Sequence, residues 1–191
     1  MLRWSSAEVP RSDRLAYLVD VVCRTLADLR CEPRRDQKFF GEITSTELGP
    51  LKLVGVRTVA QRASRSTGLA PNDPAGFYHV NITRVGRGLI DQDGCKAALG
   101  PGGFVFCDPT RPYVLNYASN YSASVLRIPR SMLRQRVGAP ECFAPLRVDG
   151  TRGLGAMVTS MLRELPVQLP IPRGVQERVA DNIVEDRKSV V

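Results

Sequence analysis

Few residues in this 191-residue chain could perform acid–base or metal chemistry, and it contains one histidine, His79. Open transition-metal sites typically combine histidines with a carboxylate, and nucleophilic catalysis needs a histidine beside a serine or cysteine. The carboxylates of Asp91 and Asp93 lie in Asp-Gln-Asp-Gly, a sequence that better fits a tight turn. We therefore expect no metal site, no cofactor and no enzymatic activity.

The cysteines and the net charge are compatible with several functions. An odd number of cysteines, five, without a Cys-x-x-Cys pair favours reduced, mostly buried thiols over disulfides or metal ligands. The net charge of +8 permits attraction to nucleic acid, although acidic and basic residues alternate along the chain. The densest basic group could be a solvated helix face or a nucleic-acid contact. Two of its members, Arg130 and Arg134, are four residues apart and therefore share one helix face. Its members are Arg127, Arg130, Arg134 and Arg136.

The middle of the chain, residues 78–129, is typical of a β-sandwich or barrel, because turn signals recur about every eight to twelve residues. Asp93-Gly94 predicts a tight hairpin turn, since both residues tolerate positive φ angles. Residues 104–107 and 113–117 have the composition of strands. Further strands are predicted at residues 39–46, 51–60, 78–84 and 122–128.

Helical periodicity flanks the strand region on both sides. Residues 10–31 carry one apolar stripe, which predicts an N-terminal helix. The remaining predicted helices are residues 129–138, 151–165 and 174–184. We expect residues 61–76 to form a loop and residues 140–147 to be irregular, because both are rich in polar residues, glycine or proline.

Several motifs occur in an order that resembles a known family. They are Gly-x-Gly from Gly86, Gln-Asp-Gly from Gln92, Leu-x-Pro-Gly from Leu99, a Phe-Val-Phe strand, Asp-Pro-x-Arg-Pro-Tyr from Asp108, and Leu-Arg-Ile-Pro-Arg before a helix. Together they resemble the N-terminal sensor domain of AraC-type transcription regulators. The resemblance extends over roughly residues 11–184.

The resemblance implies a mainly β fold with flanking helices. It would comprise a cupin-like jelly-roll barrel, an N-terminal helix and a C-terminal helical appendage. We place the sensor domain at residues 1–148 and a helical dimerisation appendage with a charged tail at residues 149–191. The implied function is ligand sensing and dimerisation without a DNA-binding module, because the residues after Pro166 are too few for a helix-turn-helix unit.

Other functional readings remain open. The chain could be a freestanding cupin-like enzyme or a protein that binds a small metabolite. As a regulator, it could be the sensor half of a longer protein or a shortened product that acts through mixed dimers. The expected partners are a small-molecule effector of unknown identity and either a second copy or a full-length relative. We expect no specific DNA contact and no membrane association, and the lack of a secretory signal favours a cytoplasmic location.

Polar residues on two predicted strands are the candidates for contacts with a small molecule inside the barrel. Neighbouring strand residues point to opposite faces, so the sequence does not determine which of them line a cavity and which are structural. These candidates are His79, Asn81, Arg84, Tyr113, Asn116 and Tyr117.

Apolar residues at helical spacing in the C-terminal appendage are the candidates for a dimer interface, as the resemblance implies. The same stripes could instead pack against the barrel of their own chain. These candidates are Leu154, Met157, Val158, Met161, Leu162, Leu165, Val175, Val179 and Ile183.

Overall fold

The computed structural model describes residues 1–34, 38–66 and 76–164, and these residues form two antiparallel sheets with flanking helices. The helices are α1 (Arg14–Thr25), α2 (Arg130–Val137) and α3 (Gly153–Glu164). The strands are β1 (Leu2–Ser5), β2 (Arg30–Pro33), β3 (Gly41–Leu48), β4 (Leu51–Thr58), β5 (Gln61–Arg65), β6 (Phe77–Val85), β7 (Gly88–Gln92), β8 (Cys95–Leu99), β9 (Gly103–Cys107), β10 (Tyr113–Tyr117), β11 (Tyr121–Pro129) and β12 (Leu146–Asp149).

One sheet has seven strands in the order β1-β3-β4-β11-β6-β9-β12, and the other has five in the order β2-β5-β10-β7-β8. Their inner faces share one apolar core, in which Val54 and Val125 of the first sheet are buried with Ile90 and Tyr113 of the second. Two such antiparallel sheets around a common core form a cupin-like jelly roll, which confirms the predicted fold class.

The outer face of the seven-stranded sheet has its own apolar core beneath α2 and α3. Tyr78 and Leu126 of this sheet are buried together with Leu133 of α2 and Val158 and Leu162 of α3. Helix α3 therefore packs on the barrel of its own chain. Strand β12 pairs with β9 and contains residues 148 and 149, between which a domain boundary was predicted. That boundary remains a prediction.

The β7–β8 hairpin turns at Asp93-Gly94, as its sequence predicts. Gln92 pairs with Cys95, so the turn contains two residues, and their φ angles are 53° and 79°. Positive φ at both positions is the requirement of a type I′ turn, whose twist matches that of the flanking strands.

The N-terminal helix is shorter than predicted, because α1 ends at Thr25 and residues 30–33 form β2 instead. Leu26 and Leu29 continue the apolar stripe beyond the helix and are still buried. Because these two side chains are buried, the apolar spacing that is typical of a helix continues into residues that do not form one. The backbone of β2 finds its hydrogen-bond partners in β5, at the edge of the five-stranded sheet.

Other predicted boundaries also need correction. The predicted loop at residues 61–76 begins with β5, whose inward side chains include the polar Gln61 and Arg65, so no apolar alternation marks the strand. Residues 67–75 lie outside the described residues. The region predicted to be irregular contains β12, and the predicted helix at residues 174–184 lies outside the described residues. None of the described helices is long and apolar enough to cross a membrane.

Candidate ligand-binding site

Four of the six polar candidates lie on the inner face of the barrel. Asn81 and His79 alternate inward on β6, and both are buried. Tyr113 and Tyr117 of β10 belong to the core between the sheets. The other two point elsewhere: the Nε atom of Arg84 donates to the Ser124 hydroxyl at 3.3 Å on the outer face, and Asn116 is exposed.

A cavity of about 50 Å³ lies inside the barrel, beneath α1. Aliphatic side chains of α1 and its C-terminal extension form one side, and the strands supply the remainder, including four polar side chains. The lining residues are Leu15, Leu18, Val19, Val22, Leu26, Leu29, Cys31, Phe39, Val56, Gln61, Ala63, Asn81, Leu115, Tyr117, Tyr121, Ala123 and Val125.

Helix α1 closes this end of the barrel, where it packs closely on β3 and is held by hydrogen bonds at and beyond its C-terminal end. At Gly41 of β3, a Cβ atom would collide with the Leu18 side chain, so glycine permits the close approach of helix and strand. Beyond the helix, the Nη1 atom of Arg127 donates to the carbonyl of Thr25 at 2.9 Å, and that of Arg65 donates to the carbonyl of Asp28 at 3.1 Å.

Hydrogen bonds and stacking connect the polar side chains of the cavity. The rings of Tyr117 and Tyr121 stack with their centroids 3.7 Å apart and their planes within 5°. The Tyr117 hydroxyl lies 2.9 Å from the Thr83 hydroxyl, and the Gln61 Nε2 atom donates to the Tyr121 hydroxyl at 2.7 Å. The Gln61 Oε1 atom is buried and has no hydrogen-bond partner among the described residues.

The titratable groups on the cavity wall are held in their neutral forms. Burial, with a smaller contribution from the charge of Cys23, raises the pKa of Cys31 to about 11. Burial raises the pKa of Tyr117 to about 12, although the hydrogen bond to Thr83 opposes the shift, and it also raises the pKa of Tyr121. The wall is therefore uncharged near neutral pH.

His79 is an interior residue but does not line the cavity. Burial, with smaller contributions from the positive charges of Arg127 and Arg65, lowers its pKa to about 3, so the imidazole is neutral. Its Nε2 atom has no hydrogen-bond partner in the described part of the chain. Within residues 1–34, 38–66 and 76–164, His, Cys, Asp and Glu form no group of three that could hold a metal ion.

Three of the motifs that suggested the family, those that contain Gln92, Asp108 and Arg130, meet in a buried polar network. Gln92 contacts the backbone of Asp108 twice, through its Nε2 atom at 2.6 Å and its Oε1 atom at 3.0 Å. The Asp108 carboxylate accepts from Thr110 and, at 2.6 Å, from the Nη1 atom of Arg130. From the sequence, Gln92 and Asp108 were recognised as members of these motifs but not as partners of each other. The available signal for this network was that both residues are polar although each lies next to an apolar strand.

The basic group contributes to the fold itself. Arg130 stacks over the ring of Tyr78 at 4.3 Å, and the Nε atom of Arg134 donates to the Tyr78 hydroxyl at 3.3 Å. These contacts confirm that the two arginines share a helix face. Arg136 donates to the carbonyl of Met132 at 3.1 Å, within α2.

A second, larger cavity of about 260 Å³ lies outside the barrel, between β9, β12, α2 and α3. Its lining is apolar, and the neighbouring Phe143 and Leu146 are exposed. The described residues of this groove offer no converging polar side chains that could orient a small molecule, whereas those of the barrel cavity do. The barrel cavity is therefore the candidate ligand site.

The fold is shared with a solved regulator structure. The AraC-like transcriptional activator CuxR superposes with a TM-score of 0.84 at 21% sequence identity, covering 98% of this chain and 68% of that one. A transcriptional activator thus shares the fold of this jelly roll and its flanking helices.

The chain belongs to the AraC-binding-like domain family, which it matches over residues 19–186. It is 24% identical over 169 residues to the transcriptional activator NphR of Rhodococcus sp., covering 84% of this chain and 50% of that protein. It is 27% identical over 157 residues to an uncharacterized protein in the nit 5′ region of Bacillus sp. (strain OxB-1), covering 82% and 61%.

These similarities confirm the predicted resemblance to the ligand-sensing domain of AraC-type regulators. The chain spans between half and about three fifths of the length of these two relatives. Its described helices flank the barrel, and no helix-turn-helix unit is present in residues 1–34, 38–66 and 76–164.

Proposed function

We propose that this chain senses a small-molecule effector inside the jelly roll, beneath α1, as the regulatory part of an AraC-type transcription regulator. The observation that carries the proposal is a mostly apolar cavity whose wall includes the polar side chains of Gln61, Asn81, Tyr117 and Tyr121. Small-molecule sites have this composition, in which apolar walls provide affinity and a few polar groups fix the orientation.

Helix α1 is the element through which the effector acts. The cavity of about 50 Å³ is smaller than typical small-molecule pockets, which occupy about 300–1,000 Å³. A bound effector therefore displaces part of the wall. The strands are held by their ladders, whereas α1 contributes side chains such as Leu18 and Val22 and is bound to the barrel mainly by packing. We therefore expect effector binding to move α1.

The proposal assigns the chain no catalytic role. Its family is a regulatory domain, and the neutral imidazole of His79 lies away from the cavity. Regulators of this kind act on DNA, so we place the protein in the cytoplasm, with DNA contacts supplied by other parts of the regulator or by a full-length partner chain.

Self-association is a further part of the proposal, and it involves α3. Met157 is 63% exposed, whereas Val158 and Leu162 are buried in the chain's own core and are not available to a partner. Leu154 and Met161 are half-buried and flank Met157. The interface therefore involves these three residues. The remaining candidates, Leu165, Val175, Val179 and Ile183, lie outside the described residues.

Sedimentation of a charged α3 variant tests the interface. Met157→Glu should shift a homodimer, or a mixed dimer with a full-length relative, toward monomer, because an interface core excludes an unpaired charge. Ser160→Glu serves as the control, since Ser160 is also exposed on α3. An unchanged mass of the Met157→Glu protein at micromolar concentration would contradict the interface.

A thermal-shift screen with a cavity-filling variant tests ligand sensing. Ala123 lines the cavity, so Ala123→Leu fills it, whereas Ala98→Leu adds the same atoms at an exposed position of β8. At one hundred times its Kd, an effector adds about 2.7 kcal/mol, or roughly 5–10 °C for a chain of this size. We expect this gain in the wild type and in Ala98→Leu but not in Ala123→Leu.

Circular dichroism first establishes that Ala123→Leu is folded and melts cooperatively. The proposal is wrong if the compounds that stabilise the wild type also stabilise folded Ala123→Leu equally.

A further inference from the structure

Among the described residues, no charged side chain lines the barrel cavity. The interior arginines nearest to α1, Arg65 and Arg127, hold the backbone carbonyls of Asp28 and Thr25 rather than pointing into it. An ion transferred into such a wall loses its hydration and gains no opposite charge, which is unfavourable for binding. The occupant of the cavity must therefore be uncharged.

The wall is mainly aliphatic, with α1 contributing Leu15, Leu18, Val19 and Val22. Such a surface gains free energy by covering apolar atoms of a ligand rather than polar ones. The occupant must therefore have an apolar body, and its polar atoms must meet the few polar groups of the wall.

Gln61 is a polar residue of the cavity wall that has an unpartnered side-chain atom. Its side chain faces the cavity, and the residue is only 5% exposed. The Nε2 atom is engaged by the Tyr121 hydroxyl, which leaves the Oε1 atom without a partner among the described residues. A buried acceptor of this kind is costly unless it receives a hydrogen bond.

The direction of Gln61 is fixed by neighbouring residues. Tyr121, which accepts from Gln61, stacks on Tyr117, and the hydroxyl of Tyr117 pairs with that of Thr83. The Oε1 atom is thus presented by a fixed amide, so it can distinguish a ligand that donates from one that only accepts.

We infer that the effector is an uncharged molecule with an apolar body and a hydrogen-bond donor, such as a hydroxyl or an N–H group, and that Gln61 Oε1 accepts this bond. The inference rests on the proposed function, because it concerns the ligand class of the same cavity. Tyr121 is a positioning residue, since it orients the amide without needing to touch the ligand.

Matched probes in an NMR titration of the full chain test the ligand class. Two neutral donors, 1-propanol and benzyl alcohol, are compared with their methyl ethers, which only accept, and with benzylammonium and benzoate, which are charged. The readouts are the methyl signals of Val22 and Val125, which line the cavity. We expect each alcohol to bind about tenfold more tightly than its ether, as one buried hydrogen bond implies, and the ions to leave these methyl signals unchanged.

Variants assign the preference to Gln61. Gln61→Leu should reduce the alcohol-to-ether ratio from about tenfold to near one, because it removes the acceptor and keeps the size. Tyr121→Phe should reduce the ratio with little change in ether affinity. Gln135→Leu, at an exposed position of α2, should leave the ratio unchanged.

The outcomes separate this inference from the proposed function. Equal binding of alcohols and ethers at the cavity, tighter binding of an ion, or a ratio unaffected by Gln61→Leu overturns the ligand class and leaves the cavity as the binding site. If neither size of neutral probe shifts the Val22 and Val125 signals at millimolar concentration, the proposed function fails and the ligand class fails with it.

Discussion

The guanidinium of Arg130 lies 2.6 Å from the carboxylate of Asp108, and the two side chains are only 19% and 2% exposed. This ion pair ties the start of α2 to the turn after β9, and Gln92 binds the same turn through the backbone of Asp108. Three of the motifs that resemble the family thus meet in a clasp that holds the barrel together, and the candidate ligand site is built from other residues.

Removal of one partner of the clasp should destabilise the fold. Arg130→Met leaves the Asp108 carboxylate buried without its closest cation, and we expect a loss of about 3 kcal/mol in the free energy of unfolding. Arg24→Ala is the control, because Arg24 and Asp20 lie at a similar distance, 2.7 Å, but are more than 60% exposed, and it should cost less than about 1 kcal/mol.

Urea denaturation measures both variants. The double variant Asp108→Asn, Arg130→Met should recover part of the loss, since the buried charge is then removed. Equal, small losses for Arg130→Met and Arg24→Ala would contradict a structural role for the clasp.

The buried histidine should make stability depend on pH. Burial lowers the pKa of His79 to about 3, so below pH 6.5 the unfolded chain binds a proton that the folded chain does not. This contribution to stability is complete above pH 6.5 and is lost as the pH falls toward 3, by about 1 kcal/mol between pH 6 and pH 5.

Urea denaturation at pH 7.5, 6 and 5 tests this expectation with His79→Gln, which does not titrate. The variant should show a flatter dependence than the wild type, and His79 is the sole histidine of the chain. The same loss of stability between pH 6 and pH 5 in both proteins would show that His79 is not the titrating group.

A side chain at the second position of the β7–β8 turn should lower the stability of the fold, and the cause should be the backbone angle rather than a steric contact. Gly94 has a φ angle of 79°, and a Cβ atom there would meet nothing within 4 Å. We expect Gly94→Ala to cost about 1–2 kcal/mol because alanine is strained at this angle.

The matched control for the turn is Gly100→Ala. Gly100 does not have a positive φ angle, and a Cβ atom there would make only an ordinary contact with Arg87 at 3.8 Å. Its thermal unfolding should be nearly unchanged. Equal melting temperatures for the two alanine variants would rule out the proposed strain at Gly94.

Helix α3 should contribute to stability through one face only. Leu162 is 1% exposed against the barrel, so Leu162→Ala should cost about 2–5 kcal/mol. Met157 is exposed, and Met157→Ala should change stability by no more than about 0.5 kcal/mol. Denaturant midpoints at low protein concentration, where association does not contribute, measure both values. Comparable losses would place Met157 in the chain's own core.

The sequence predicted the fold well where local chemistry determines structure. The Asp93-Gly94 turn, the strand at residues 113–117 and helix α3 follow from turn residues, strand composition and helical periodicity. The errors have a common physical cause, since tertiary burial overrides the local pattern: Leu29 mimics a continued helix and buried Arg65 conceals a strand.

The candidate site was only partly predictable. Asn81 and Tyr117 were recognised as polar residues on strands, but alternation alone does not tell the inner face from the outer, so Arg84 and Asn116 were grouped with them. Gln61 was missed, because it lies in a segment whose polarity predicted a loop. The pairing of β5 with β10 and with β2 brings it into the barrel.

The most direct test of the central claim locates a bound effector. Intermolecular NOEs are recorded between a compound that stabilises the chain and its methyl groups. We expect contacts with Leu18, Val22 and Val125, which line the barrel cavity beneath α1. Contacts confined to Leu133 and Val137, in the groove between α2 and α3, would contradict ligand sensing inside the barrel.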